Sequence, residues 1–341
     1  MNKNIASSTS QETLLELDNV KKWYPVQQGL ISSLFGQETE FVKAVDGISL
    51  KLKNQEILGV VGESGSGKST LGELIVHLQT PTEGRISLDG ADISSLRGPD
   101  LKQFRKRVQV IFQDPYATLN QRFTIYRTVV EPLLIHGVRD EKERTRRVKQ
   151  ALERSGLSPD DRLLNAYPHN LSGGQRQRVS IARAIVLEPD LIIADEPVSM
   201  LDVSIRSGIL NLLADLRERL GLSIVFISHD LSTVRYLCDR IAVMYLGRIV
   251  ETGPAKQVIM RGYHPYTRAL LNAVPLADTD IRRERTEIDG EPPSSINLPP
   301  GCRFAPRCPF ATHECSVAEP DLTEIMPGHF VRCIHPRLDP L

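Results

Sequence analysis

The stretch GESGSGKST, Gly62 to Thr70, fits the pattern G-x-x-x-x-G-K-[ST]. It follows the apolar run EILGVV and precedes LGELIVHL, which has the composition of a helix. Glycines let backbone N–H groups curl around a phosphate because no Cβ stands in the way, and the following helix presents its N-terminus to the anion. In this context the pattern predicts a nucleotide-binding phosphate loop.

Individual side chains of this loop have expected roles. Lys68 reaches the β- and γ-phosphates, and the Ser69 hydroxyl is a ligand of Mg²⁺. A second motif, LIIADEP from Leu191 to Pro197, predicts a buried strand with two acids at its end. Asp195 is expected to bind Mg²⁺, often through water, and Glu196 to act as the general base. An apolar run before Asp-Glu is a weak signal alone and a strong one beside the phosphate loop.

The motif LSGGQ comprises Leu171, Ser172, Gly173, Gly174 and Gln175. Two glycines at the start of a helix would merely weaken it, so the motif has no ordinary structural use. A serine hydroxyl and glycine N–H groups at a helix N-terminus form a second anion cradle. Two phosphate-binding surfaces on one chain favour a head-to-tail dimer, in which each ATP lies between the phosphate loop of one subunit and the LSGGQ motif of the other.

These motifs, in this order, resemble the ATP-binding cassette (ABC) ATPases over about residues 14–260. The resemblance implies a P-loop NTPase fold of the α/β class, with an antiparallel β edge and a helical subdomain at about 114–185. Strands such as LSIVFISHD, which alternate with helices, also favour a largely parallel sheet covered on both faces. The ATP-binding residues implied in the Walker A loop are Gly62, Glu63, Ser64, Gly65, Ser66, Gly67, Lys68, Ser69 and Thr70.

Further positions match motifs of the family. Gln113 in VIFQDP matches the Q-loop glutamine, which contacts Mg²⁺ and senses the γ-phosphate. His229 in FISHD matches the switch histidine, which holds the γ-phosphate and helps to orient the attacking water. Tyr24 lies where the family stacks an aromatic ring on adenine, and its neighbour Trp23 is the alternative. The D-loop corresponds to Ser199, Met200, Leu201 and Asp202, where the family more often has Ala at the second position.

The chain carries both Glu196 and His229, so its own site is expected to hydrolyse ATP. This disfavours a non-hydrolysing regulatory subunit. A soluble ABC ATPase of DNA repair or translation is also disfavoured, because those proteins usually have two cassettes or a long coiled coil. Lys and Arg together number 42, as do Asp and Glu, and the resulting net charge of zero argues against a general nucleic-acid binder.

Three features resemble the ATP-binding subunits of oligopeptide and dipeptide importers: FQDPYATLNQRFTI, RGYHPYTRALLNAVP and the cysteine-bearing tail. That subfamily includes importers of nickel, glutathione and some oligosaccharides. The resemblance implies a paralogous ATPase as dimer partner, with this chain as the second of the two. It also implies two transmembrane permease subunits, which the ATPases would dock beneath, and an extracytoplasmic binding protein that delivers the solute.

The remainder of the chain sets the expected location and organisation. The N-terminus has no apolar signal region, and no window is apolar enough to span a bilayer, which predicts a cytosolic protein. The resemblance implies that permease subunits hold it at the cytoplasmic face of the membrane. Residues 1–13 are interpreted as a disordered tail, and LLELDNVKKWYPV from Leu14 as an edge strand. A loop follows Tyr24. A Pro-rich linker at 278–300 lies within a C-terminal extension, 261–341.

Four of the five cysteines lie in this extension, spaced C-x5-C-x6-C-x17-C: Cys302, Cys308, Cys315 and Cys333. The fifth, Cys238, is interpreted as a packed thiol. The segment is rich in loops and poor in apolar residues, so it needs a staple, and disulfides are disfavoured in a reducing cytosol. Zinc sites usually contain a tight cysteine pair, absent here, although His313 or His335 are possible substitutes. The wide spacing suits a [4Fe–4S] cluster, which the resemblance also implies, and zinc is the alternative.

Overall fold

The computed structural model describes residues 12–26, 40–273, 290–291 and 293–338. The disordered tail predicted at 1–13 lies outside these ranges except for its last two residues. The loop after Tyr24 and much of the linker at 278–300 also lie outside them.

The strands, in chain order, are β1 (Thr13–Pro25), β2 (Phe41–Lys53), β3 (Ile57–Val61), β4 (Glu83–Leu88), β5 (Ala91–Asp92), β6 (Val108–Ile111), β7 (Leu191–Asp195), β8 (Ser223–Ser228), β9 (Arg240–Tyr245), β10 (Arg248–Pro254), β11 (Thr323–Met326) and β12 (His329–Val331). The α-helices are α1 (Lys68–Ile75), α2 (Gly98–Arg107), α3 (Pro115–Thr118), α4 (Ile125–Ile135), α5 (Glu141–Arg154), α6 (Asp161–Asn165), α7 (Gly173–Ile185), α8 (Val203–Leu220), α9 (Leu231–Leu237), α10 (Ala255–Arg261), α11 (Pro265–Ala273) and α12 (His313–Val317).

The N-terminal strands form an antiparallel sheet in the order β2-β1-β4-β5. The prediction that the first strand lies at an edge is wrong, because β1 pairs with β2 on one side and with β4 on the other. Leu17 is opposite both Leu50 and Ile86. Apolar alternation reports which face of a strand is buried, and it does not report how many neighbours the strand has.

The central sheet has the order β11-β12-β10-β9-β3-β8-β7-β6. The strands from β9 to β6 are parallel, as predicted, and every residue of β3 and β8 is buried. The helices α3 to α7 lie between β6 and β7 in the sequence. The C-terminal extension continues the sheet, since the hairpin of β11 and β12 pairs antiparallel with β10.

The parallel strands determine where the candidate site lies. Gly62 follows β3, Asp195 ends β7 and His229 follows β8. The carboxyl ends of neighbouring parallel strands meet at one edge of a sheet, which is where ligands bind in α/β folds. The fold therefore brings together groups that lie more than a hundred residues apart in the sequence.

A pH effect is expected from His264, which is buried just before α11. Burial lowers its pKa to about 4, and its Nδ1 accepts a hydrogen bond from the Tyr266 N–H at 3.1 Å. Since an unfolded histidine titrates near pH 6.5, the unfolded chain binds more protons between pH 6.5 and 4, and stability decreases as the pH falls through this window. Urea unfolding at several pH values measures this loss. It should be smaller in His264→Gln and unchanged in the exposed control His169→Gln, and an unaltered loss in His264→Gln would refute the assignment.

Candidate nucleotide-binding and hydrolysis site

The phosphate loop connects β3 to α1 and is packed too tightly for most side chains. A Cβ at Gly62 would lie 2.2 Å from the Met244 carbonyl oxygen. Gly67 has a φ of +101°, and a Cβ there would lie 2.0 Å from the Ala44 carbonyl oxygen. Glycine is therefore required at both positions for steric reasons.

Lys68 is the first residue of α1 and is almost fully buried. Its Nζ donates to the carbonyl oxygens of Gly62 and Glu63, both at 2.8 Å. Burial lowers the pKa of Lys68, while the nearby carboxylates of Glu196 and Asp195 act in the opposite direction. The ammonium group thus lies inside the curve of the loop, where it can meet a phosphate.

The residues predicted to hold Mg²⁺ lie together. The Ser69 hydroxyl is 3.4 Å from Asp195 Oδ1, although the two residues are 126 positions apart. Burial raises the pKa of Asp195, which a bound cation would reverse. A hydroxyl from the phosphate loop and a carboxylate from the end of strand β7 are suitable ligands for this ion. The donor set fits Mg²⁺, with the Gln113 side chain also at the site.

Glu196 occupies the centre of the polar groups at the strand ends. Its carboxylate accepts a hydrogen bond from Gln113 Nε2 at 3.2 Å, and its other oxygen lies 3.0 Å from His229 Nδ1. The backbone of Glu196 has a φ of +46°, in the left-handed region that non-glycine residues seldom occupy. Such backbone strain is concentrated at functional sites. The geometry places a carboxylate held by two neighbours at the wall of the site.

These groups line one cavity of about 840 Å³. Its walls come from the phosphate loop, the strand ends, the antiparallel sheet and the C-terminal extension: Tyr24, Val42, Ala44, Ser64, Gly65, Gly67, Lys68, Ser69, Thr70, Gln113, Glu196, His229 and Ser295. Tyr24 and Thr70 both lie in the wall. Trp23 is engaged elsewhere, because its Nε1 donates to Asp46 Oδ1 at 3.0 Å.

The LSGGQ motif forms the start of α7. Ser172 is the N-cap: its Oγ accepts from the Gln175 N–H at 3.3 Å, and its own N–H donates to Gln175 Oε1 at 2.9 Å. A Cβ at Gly174 would lie 2.7 Å from Ile205, so this glycine permits close packing against α8. None of the described wall residues of the cavity comes from this motif.

The predicted D-loop begins three residues after Glu196. The Ser199 hydroxyl donates to the Glu196 carbonyl at 3.0 Å, which joins this loop to the candidate base. Leu201 is buried and would contact a Cβ at Gly173 at 3.5 Å, whereas the Met200 side chain is exposed. Asp202 is the N-cap residue of α8. The loop thus lies between the candidate base and the LSGGQ motif.

Sequence reasoning did not identify three wall residues. Val42 and Ala44 belong to β2, which carries no sequence motif for nucleotide binding. Ser295 belongs to the linker, and its carbonyl accepts from the Lys43 N–H at 3.1 Å. No motif marks Ser295, because the contact uses a backbone group.

The prediction of a [4Fe–4S] cluster is wrong. Cys302, Cys308, Cys315 and Cys333 do line one cavity, but it measures about 20 Å³, room for about one water molecule and not for four irons and four sulfides. Burial raises the pKa of Cys308 to about 11 and that of Cys333 to about 12.

No group of three or more His, Cys, Asp or Glu residues in the described ranges could hold a metal ion, which also overturns the zinc alternative with His313 or His335. The cavity is completed by aromatic side chains, Phe304 and Phe310 among them. Cys302 and Cys308 pack against the hydrophobic core, and Cys315 is buried.

Comparison with known proteins agrees with this site. The ABC transporter family matches residues 45–199, and the oligopeptide/dipeptide transporter C-terminal region matches residues 250–315. The chain is 47% identical to the oligopeptide transport ATP-binding protein AppF of Bacillus subtilis, over 96% of this chain and 98% of AppF. It is 44% identical to the dipeptide transport ATP-binding protein DppF of Escherichia coli, over 96% of this chain and 95% of DppF.

A solved structure has the same architecture. The dimeric ATP-binding cassette MJ0796, in a post-hydrolysis state bound to ADP and Pi, superposes with a TM-score of 0.61. The two proteins are 31% identical, and the match covers 71% of this chain and 99% of MJ0796. The architecture of this cassette thus extends over about two thirds of the present chain.

The chain belongs to the ABC transporter ATPases, in the group of oligopeptide/dipeptide transport ATP-binding subunits. It binds ATP with Mg²⁺ and hydrolyses it to ADP and phosphate. Within the part of the chain that the structure describes, no helix combines the length and apolar character needed to cross a membrane.

Proposed function

We propose that this chain energises the import of dipeptides or oligopeptides, as one of two ATPase subunits that close head to tail over ATP. The observation that carries the proposal is the division of the anion-binding groups within the chain. Lys68, Glu196 and His229 line one cavity, whereas the capped N-terminus of α7, with the LSGGQ motif, contributes none of the described wall residues. A second subunit that presents its own LSGGQ motif would complete the site.

In this proposal each side chain has a defined task. Lys68 binds the β- and γ-phosphates, and Tyr24 stacks on the adenine. Glu196 accepts a proton from the attacking water as general base, and His229 holds the γ-phosphate and orients that water. Mg²⁺, when bound, neutralises charge on the β- and γ-phosphate oxygens. Ser69, Asp195 and Gln113 would hold it there.

The start of α7 would bind the γ-phosphate of the other subunit's ATP. A helix N-terminus suits this task because its free N–H groups and dipole favour an anion. The exposed Met200 of the D-loop is available to contact the partner. ATP would then favour the closed dimer, and loss of the γ-phosphate contacts after hydrolysis would reopen it.

Two permease subunits would hold the ATPase pair at the cytoplasmic face of the membrane, and an extracytoplasmic binding protein would select the solute. AppF and DppF are named as oligopeptide and dipeptide transport ATP-binding proteins, and their similarity over nearly the whole chain supports peptide as the solute. Nickel, glutathione and oligosaccharides are the competing solutes. We further propose that the partner ATPase is a paralogue, so that the pair is a heterodimer.

Purification of the intact transporter through a tag on this chain tests the proposal. The expected preparation contains a second, different ATPase and two permeases. Its ATPase rate in proteoliposomes should increase with peptide-loaded binding protein. Increased turnover with nickel, glutathione or an oligosaccharide instead of peptide would refute the solute assignment. A preparation with only this ATPase band would refute the heterodimer.

A further inference from the structure

Glu63, the second residue of the phosphate loop, is held through all of its polar groups. Its N–H donates to the Tyr266 hydroxyl at 2.8 Å, and its carbonyl accepts from Lys68 Nζ at 2.8 Å. Its carboxylate accepts hydrogen bonds from both terminal nitrogens of the Arg307 guanidinium, at 2.9 and 3.3 Å. A paired, two-bond contact between guanidinium and carboxylate fixes orientation as well as charge.

Tyr266 and Arg307, which bind Glu63, lie outside the motifs of the ATP site. Tyr266 belongs to α11, and Arg307 lies 244 positions after Glu63, directly before Cys308 in the extension. The Arg307 side chain is only 8% exposed and that of Glu63 27% exposed, so water screens this ion pair less than a surface pair. A partner so remote in the sequence joins the extension directly to the phosphate loop.

A buried aromatic cluster packs beside these two contacts. The rings of Tyr245, Tyr266 and Phe304 are almost fully buried, with centroids 4.6 to 5.5 Å apart. The guanidinium of Arg307 lies over the Tyr245 ring at 5.9 Å. Close packing of buried rings and a guanidinium over a ring limit the rotamers open to these side chains. The groups that hold Glu63 therefore have little freedom to move.

The extension is also fixed to the core beside the loop. The Arg303 guanidinium, which is buried, donates to the Asp46 carboxylate and to the Leu246 carbonyl. Ser295 lies in the wall of the nucleotide cavity itself. Contacts from the extension thus reach the site at two places, the phosphate loop and the part of the wall near β2.

We propose that Arg307 is a positioning residue of the nucleotide site, which holds the phosphate loop in its binding shape through Glu63. A loop already ordered before ATP arrives loses less conformational entropy on binding, and this raises affinity. The C-terminal extension would in this way set the affinity of the ATPase for nucleotide. The inference rests on ATP binding alone and is independent of the solute and of the dimer partner.

Calorimetric titration of the full-length chain with Mg²⁺ and the non-hydrolysable analogue AMP-PNP tests this role. Arg307→Ala is expected to weaken binding about five- to tenfold, and Glu63→Gln by a similar factor. The double variant should be no weaker than either single variant, since both remove one interaction. Arg307→Lys keeps the charge without the paired geometry and should restore part of the affinity.

The matched control is Arg332→Ala. Arg332 also fixes the extension, by donating to the carbonyls of Ile249 and Pro320, and it does not contact the phosphate loop. The Arg332→Ala chain should bind AMP-PNP with the affinity of the unchanged chain, even if its melting temperature is lower.

Equal weakening of binding in Arg332→Ala, unchanged affinity in Arg307→Ala or additive losses in the double variant would overturn the proposal. Should Arg307→Ala not fold, Arg307→Lys and Glu63→Gln provide the same comparison. Failure of the unchanged chain to bind AMP-PNP would instead contradict the ATP site itself.

Discussion

Replacement of Glu196 by glutamine is expected to stop ATP turnover while ATP binding persists. The substitution keeps the size of the side chain and its place between Gln113 and His229, and it removes the proton acceptor. Loss of a general base lowers the rate by about 10²- to 10⁴-fold. Phosphate release measures that loss. Size-exclusion chromatography with the partner ATPase should show a closed dimer that persists in ATP.

Two comparisons separate this effect from others. Lys68→Ala should weaken ATP binding itself, because it removes the buried ammonium at the phosphate loop. Glu218→Gln, at a side chain 70% exposed on α8, should leave both binding and turnover unchanged. A Glu196→Gln protein that hydrolyses ATP at the original rate would show that another group is the base.

The parallel core and the composition of the ATP site were predictable because they rest on local patterns. A strand, a glycine-rich loop and a helix follow one another at Gly62–Thr70, and chemistry limits which residues can surround a phosphate. The strand before Asp195 is apolar throughout because both of its faces are covered. Patterns of this kind consist of consecutive residues, so they can be recognised from the sequence alone.

The position of the extension was not predictable in the same way. The pairing of β10 with β12 joins segments about eighty residues apart through backbone groups, which are the same in every residue. The Arg307 contact with Glu63 and the Ser295 contact with Lys43 likewise have no local pattern. The edge-strand prediction for β1 failed for this reason too, since its partner β4 lies far along the chain.

The cysteine spacing led to a wrong prediction for a related reason. Spacing along a chain constrains which residues are able to meet, and the four thiols do meet around one cavity. The spacing carries no information about the volume of the cavity between the thiols. Aromatic side chains from separate segments occupy part of that volume. The cluster was therefore predicted from the separation of the cysteines along the chain, without knowledge of the size of the cavity between them.

The largest loss of stability is expected from Glu251→Ala. The Glu251 carboxylate is fully buried in β10 and accepts hydrogen bonds from the N–H groups of Tyr263 and His264, at 2.9 and 2.8 Å. His329 Nε2, in β12, lies 2.8 Å from the same carboxylate. One side chain therefore joins the core, the connection between α10 and α11, and the extension. Its removal leaves buried donors unpaired, at a cost of about 3–5 kcal/mol in the free energy of unfolding.

Urea denaturation of the full chain, followed by circular dichroism, measures this change. Glu251→Gln keeps one acceptor oxygen but presents an amide to buried donors, so its loss should be intermediate. Glu314→Ala is the control, because that side chain is 71% exposed in the same extension, and it should change the free energy of unfolding by less than about 0.5 kcal/mol. Since Glu251 also orients the segment that leads to Tyr266, nucleotide affinity should decrease together with stability. A Glu251→Ala chain as stable as Glu314→Ala would show that water, rather than this carboxylate, satisfies the buried donors.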